Sequence, residues 1–135
     1  MSEEFILPLR VYIEDTDAGG IVYYVNYLKF MERARTEFMR SMGFDTNSIF
    51  NSELMFVVQD VALQYRQPAR LDDELLATAA LAKVGGASII MHQRVLRGDA
   101  VLVEGDIKIA CVDQRGLNPK RLPVPLLERL RAEQG

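Results

Sequence analysis

Two hydrophobic periods divide this chain. From Tyr27 to Met42 apolar residues recur three and four apart: Tyr27, Phe30, Met31, Ala34, Phe38 and Met42 form one stripe. Lys29, Glu32, Arg33, Glu37 and Arg40 lie largely off it, so the spacing predicts a core helix with one wet side. Its ends are marked too. Asn26 is an N-cap candidate, and Gly43 followed by Phe44 reads as a C-terminal stop with its hydrophobic contact.

Elsewhere the period shortens to two. Phe5 to Glu14 reads as a first strand with Leu7, Leu9, Val11 and Ile13 on one side, Pro8 placing it at a sheet edge or a bulge. Asp45 to Glu53 is polar and reads as a short helical turn and a connection. From Met55 the chain alternates again, Val57, Gln59, Val61, Leu63 and Tyr65 against Val58, Asp60, Ala62, Gln64 and Arg66, a half-buried strand ending at Gln67-Pro68. Leu75 to Val84 is apolar throughout, and its alanines leave helix and strand both open; we read a strand. Gly85-Gly86 and Gly98-Asp99 then turn the chain into Ser88–Arg97 and Val101–Asp113, completing a meander. Beyond a proline-rich loop, Leu126, Leu127 and Leu130 predict a short terminal helix. One strand, a long helix and then several antiparallel strands make an α+β domain with the helix packed on one sheet face.

Composition narrows the function classes. The 135 residues read as one domain, 1–135, long enough to bury a core without staples. A formal net charge of −3 offers nothing overall to nucleic acid or an anionic membrane, so an anionic ligand requires a local basic patch. Cys111, the only cysteine, excludes an internal disulfide and reads as a small core residue of a reducing compartment. The Met-Ser-Glu-Glu start resembles no secretory signal and no apolar run reaches membrane-spanning length; a cytoplasmic protein is expected. No metal or bound cofactor is implied. A single sheet leaves edges and part of a face uncovered, so a homo-oligomer that extends the sheet is expected.

The chemistry concentrates in one loop. Glu14-Asp15-Thr16-Asp17-Ala18-Gly19-Gly20 precedes the apolar run Ile21 to Tyr24 and then the long helix. A helix start carries unpaired N–H groups and partial positive charge, which stabilise a developing oxyanion. Asp17 beside such a start is a catalytic candidate, although Asp before two glycines is also ordinary turn chemistry. Asp15 reads as a loop or capping acid, and Tyr23, Tyr24 and Tyr27 as packing residues rather than reactive phenols. His92, the only histidine, reads as a strand-surface residue.

Taken together, Tyr12-Ile13-Glu14-Asp15-Thr16-Asp17-Ala18-Gly19-Gly20-Ile21-Val22-Tyr23, Asn26-Tyr27-Leu28, Glu32-Arg33-Ala34-Arg35-Thr36-Glu37, Pro68-Ala69-Arg70-Leu71-Asp72-Asp73 and Pro119-Lys120-Arg121-Leu122-Pro123 resemble the hotdog-fold acyl-CoA thioesterases. More narrowly, the chain is similar to the Tol-Pal-associated and 4-hydroxybenzoyl-CoA thioesterase branches. The resemblance implies a sheet wrapped around one long central helix, homodimers or homotetramers with sites between subunits, and hydrolysis of an acyl-CoA to free acid and coenzyme A. It assigns the catalytic carboxylate to Asp17, as general base or nucleophile, and a backbone oxyanion donor to Tyr24. Ser88 occupies a place that contacts coenzyme A in relatives, and Lys120 and Arg121 are candidates for its phosphates. The rival classes are a non-catalytic acyl-CoA-binding or partner-binding hotdog domain and a hydratase, the latter disfavoured because His92 is far in sequence from the acidic loop.

Overall fold

The computed structural model describes residues 3–45 and 53–134. Five strands, β1 (Phe5–Arg10), β2 (Leu54–Tyr65), β3 (Glu74–Val84), β4 (Ser88–Arg97) and β5 (Ala100–Asp113), form one antiparallel sheet. Their spatial order is β1-β3-β4-β5-β2. The meander is therefore β3-β4-β5, with β1 and β2 added at its two sides. Helix α1 (Asn26–Ser41) lies on β1, β3 and β4, and helix α2 (Val124–Gln134) packs against β3. This is the α+β arrangement of a sheet wrapped on one long helix. Among the described residues, no helix is long and apolar enough to cross a membrane.

The helix is held by the face its sequence marked. Tyr27, Phe30, Met31, Ala34 and Phe38 are buried, as is Met39, and Met42 is half-buried. Small residues on both sides of this contact, Ala34 on α1 and Ala77 and Ala79 on β3, are fully buried. Their size lets helix and strand backbones approach closely, which accounts for the alanines that left β3 ambiguous. Gly43 takes φ +92° and the Phe44 N–H returns to the Met39 carbonyl at 3.0 Å, ending the helix where expected. One polar clamp crosses the apolar layer. The fully buried Gln93 of β4 donates to the Met31 carbonyl of α1 (2.9 Å) and the Thr78 carbonyl of β3 (3.0 Å), and accepts from Arg35 Nη1 (2.9 Å). Burial pulls the Arg35 guanidinium below its ordinary pKa, with Glu32 acting against that shift.

Three expectations are corrected. Strand β1 stops at Arg10, and Ile13–Asp15 is a 3-10 turn that leaves Ile13 exposed. The cause is Asp15, whose carboxylate takes the Tyr12 N–H at 2.9 Å and bends the chain out of the sheet. Asn26 is the first helical residue rather than the cap; the helix opens at Val25 with no side-chain cap. Strand β2 is more exposed than half-buried, and a register shift between Val58 and Asp60 moves Val58 onto the same face as Val61. The connection expected from Asp45 to Glu53 lies, apart from its two ends, outside the described residues.

The two sheet edges differ. Val11 donates its N–H to Asp73, across β3, so alternation turns the N–H positions of Ile6, Pro8 and Arg10 outward. Pro8 has no N–H, which blunts the middle of that edge. β2, twelve residues long, carries no proline. Beside its outer edge Val58, Val61 and Tyr65 are 49%, 38% and 48% exposed on the α1 side of the sheet, beyond the strands that the helix covers.

Replacing Gln93 by Leu keeps the volume but strips partners from two carbonyls and a half-buried guanidinium. We expect the variant to lose about 2–4 kcal/mol of unfolding free energy, measured by urea titration; a loss under about 0.5 kcal/mol refutes the clamp.

Candidate active site

Residues 16–22 fold into a small hairpin. Thr16 bridges Val22, the Asp17 N–H donates to Ile21 (3.0 Å), and the Gly20 N–H returns to the Asp17 carbonyl (3.1 Å). Gly20 sits at φ +73°, a conformation open to glycine at no steric cost. Asp17 is exposed, and one of its carboxylate oxygens accepts the Gly19 N–H at 2.9 Å, an Asx turn that fixes the side chain while leaving the other oxygen outward. The hairpin leans on the loop between β2 and β3: Val22 donates to Ala69 (2.9 Å), and Leu71 donates to Gly20 (3.0 Å).

Asp15 ties this hairpin to α1. Its side chain is buried and accepts both the Tyr12 N–H (2.9 Å) and the Asn26 side-chain amide (2.9 Å), while its carbonyl accepts the Tyr23 N–H (3.1 Å). Asn26 in turn donates its own N–H to Tyr23 at 2.8 Å. Both aspartates of the loop are thus engaged, Asp15 as a buried link and Asp17 as a presented carboxylate. Between these bonds, the Tyr24 N–H meets no acceptor among the described residues. An uncapped helix start with a free N–H can receive negative charge.

Aromatic rings wall the helix start. Tyr27, buried, packs edge-on to Phe30 (6.1 Å) and Tyr65 (5.7 Å), and its hydroxyl accepts the Ala69 N–H at 2.9 Å. Tyr65 also meets Tyr24 edge-on (6.3 Å) and donates its hydroxyl to the Tyr24 carbonyl at 3.2 Å. Burial pushes the Tyr27 and Tyr65 phenols above their ordinary pKa. A cleft of about 270 Å³ opens there, lined by Val22, Tyr24, Tyr27, Tyr65 and Pro68. Two larger grooves, about 570 and 530 Å³, run along the outer side of α1 and beside β1. Arg40 pairs with Glu37 in the first and Arg10 with Glu74 in the second, and no acidic-loop residue lines them. The supporting loop is held by Asp73, which accepts from the Arg70 N–H (2.9 Å) and Arg97 (2.8 Å). Burial alone would raise its carboxyl, yet these donors keep it below its ordinary value.

The other anticipated residues gather elsewhere. Ser88 opens β4, where its carbonyl accepts the Gly85 N–H (2.8 Å), and the Leu122 N–H reaches Gly86 (2.9 Å). Lys120 follows β5, donates its N–H to Cys111 (2.9 Å), and lies 4.0 Å from Glu53. Arg121, exposed, lies between Lys120 and that Leu122 anchor. Ser88, Lys120 and Arg121 therefore share one end of the sheet, while Asp17 and Tyr24 share the other. The eleven residues of β3 separate the two ends by roughly 30 Å. Cys111 is buried, its thiol pushed up by burial, as expected of a core residue. His92 faces away from α1 and bonds to Asp106 at 2.9 Å. Sequence reading did not single out Tyr65, because its contacts cross 38 to 41 positions to reach Tyr27 and Tyr24; its only mark was a place in the β2 alternation.

Comparison with known proteins gives a consistent picture. A family model described as the thioesterase-like superfamily matches residues 11–130. The chain is 42% identical to the acyl-CoA thioesterase YbgC of Haemophilus influenzae, covering 88% of each chain. It is 39% identical to the acyl-CoA thioester hydrolase YbgC of Escherichia coli O157:H7, covering 88% of this chain and 90% of that one. A crystal structure of a probable thioesterase from Bartonella henselae superposes with a TM-score of 0.85 at 34% identity, covering 90% of this chain and 100% of that one.

Asp15→Ala removes the acceptor of both the Tyr12 N–H and the Asn26 side-chain amide. We expect a loss of about 1–3 kcal/mol and faster hydrogen exchange at Tyr12 and Tyr23; exchange unchanged at both amides refutes the link.

Proposed function

This chain belongs to the thioesterase-like superfamily, and on that premise we propose that it hydrolyses an acyl-CoA thioester to free acid and coenzyme A at the Asp17–Tyr24 loop. The observation that carries the reading is the outward carboxylate of Asp17 on the same short loop as an N–H without an acceptor at the start of α1. The thioester carbonyl oxygen would accept the Tyr24 N–H, which lies at the positive end of the helix. Asp17 then either takes a proton from an attacking water or attacks the carbonyl carbon to give an acyl-enzyme anhydride that water opens. By either route one water is consumed, the C–S bond breaks, and coenzyme A leaves as a thiolate. That leaving group needs no prior protonation, so one carboxylate and one oxyanion donor suffice.

The coenzyme would be held by a second subunit. Ser88, Lys120 and Arg121 lie at the wrong end of the sheet to share a site with Asp17 in one protomer. An antiparallel pairing of two β2 edges removes that difficulty, since it sets the Tyr65 end of one strand beside the Leu54 end of its mate. Lys120 is already linked to that end through Glu53. The same pairing covers Val58 and Val61, whereas Pro8 discourages it at β1. A dimer built this way has two sites, each with Asp17 and Tyr24 from one subunit and Lys120 of the partner subunit.

Asp17→Asn preserves the Asx turn, so folding should be intact while thioester turnover falls by about 10²–10⁴. Release of coenzyme A from a panel of short, long and aromatic acyl-CoA thioesters measures it, with Cys111 blanked in thiol assays. Binding without turnover in the parent would instead assign a non-catalytic acyl-CoA-binding domain. Val58→Lys with Val61→Lys should convert a dimer to a monomer by light scattering and abolish turnover together; an unchanged mass rejects the β2 interface.

A further inference from the structure

We propose that Tyr65 is a positioning residue for the oxyanion donor: by holding the Tyr24 carbonyl it fixes the peptide plane that follows Tyr24 and so keeps the backbone around the Tyr24 N–H from turning away from the developing charge. This rests on the reading of that N–H as the donor. A peptide unit is planar, so an N–H points where its own plane points and where the neighbouring plane allows. The plane before Tyr24 is held through the Tyr23 carbonyl, which accepts the Asn26 N–H at 2.8 Å, with Asn26 anchored in turn on Asp15. The plane after it carries the Tyr24 carbonyl. In a regular helical turn the Leu28 N–H would serve that carbonyl, but here it goes to Val25 at 3.1 Å. The Tyr65 hydroxyl takes its place, 3.2 Å away.

The phenol is itself well placed to hold. Its register opposite Val103 sets it on the α1 side of the sheet, and its ring sits against both Tyr24 and Tyr27. Tyr27 is fixed by the Ala69 N–H on its hydroxyl. Tyr65 therefore reaches from the end of β2 to the backbone of the loop, and its phenol, protonated at neutral pH like any tyrosine, can donate there. Both planes flanking the donor are fixed before substrate arrives, which is the condition under which an oxyanion hole works without reorganising.

Tyr65→Phe removes the bond and keeps the ring. A complete loss of one oxyanion donor costs about 10²–10³ in kcat; a donor left in place but less well aimed should lose less, about tenfold. We expect that fall in kcat with KM within about twofold, a thermal midpoint within about 2 °C, and an unchanged oligomer mass at assay concentration. A fall carried by KM, a lowered midpoint or a changed mass would overturn the proposal in favour of a packing or interface role. So would kcat within twofold of the parent. Asp17→Asn in the same assay separates the two layers: if it retains turnover, the site reading fails first, and if it abolishes turnover while Tyr65→Phe does not, only the positioning role falls.

Discussion

A buried carboxylate holds the working end of this molecule together. Asp15 lies in the interior with two side-chain bonds, one to the Tyr12 backbone and one to the Asn26 side chain, and a third through its carbonyl to Tyr23. A carboxylate out of water is stable only when donors replace the water it lost, and here two do so, the Tyr12 N–H beyond the end of β1 and the Asn26 amide at the start of α1. β1 therefore ends where it does, the hairpin returns where it does, and α1 starts without a cap because its first side chain is committed to Asp15 rather than to the helix's own N–H groups. The exposed Asp17 and the unpaired Tyr24 N–H follow from that arrangement. A helix capped in the ordinary way would consume donors that the proposed oxyanion site needs.

The remaining construction is asymmetric for physical reasons. The apolar stripe of α1 covers β1, β3 and β4 and leaves β2 and its valines bare, so one half of the sheet face is complete within the chain and the other is not. Pro8 blunts the β1 edge, while among the described residues no strand pairs with the outer edge of β2. The residues expected to meet a coenzyme stand at the far end of the sheet from the acidic loop, which is the ground for proposing a second copy across the β2 edge.

Much of this was legible from residue spacing. The 3.6 period of Tyr27 to Met42, the two periods of β4 and β5, and the Gly43-Phe44 stop are local properties, set by which side chains must face a core and which backbone angles only glycine takes readily. The composition of the acidic loop marked it as a candidate site because acids, adjacent glycines and a helix start are close in sequence. Family likeness then named the chemistry such a loop performs.

What the sequence could not decide are the contacts that join distant segments. Asn26 reads as a cap from its neighbours, and only the fold shows that a buried carboxylate eleven residues earlier outbids the helix for its side chain. Ile13 continues an alternation that the same carboxylate interrupts. Tyr65 carries no local mark of its role, because a bond spanning 41 positions exists only once β2 and α1 are packed. Periodicity reports which face of an element is wet; which groups meet across elements depends on register and packing, and those are properties of the folded chain alone.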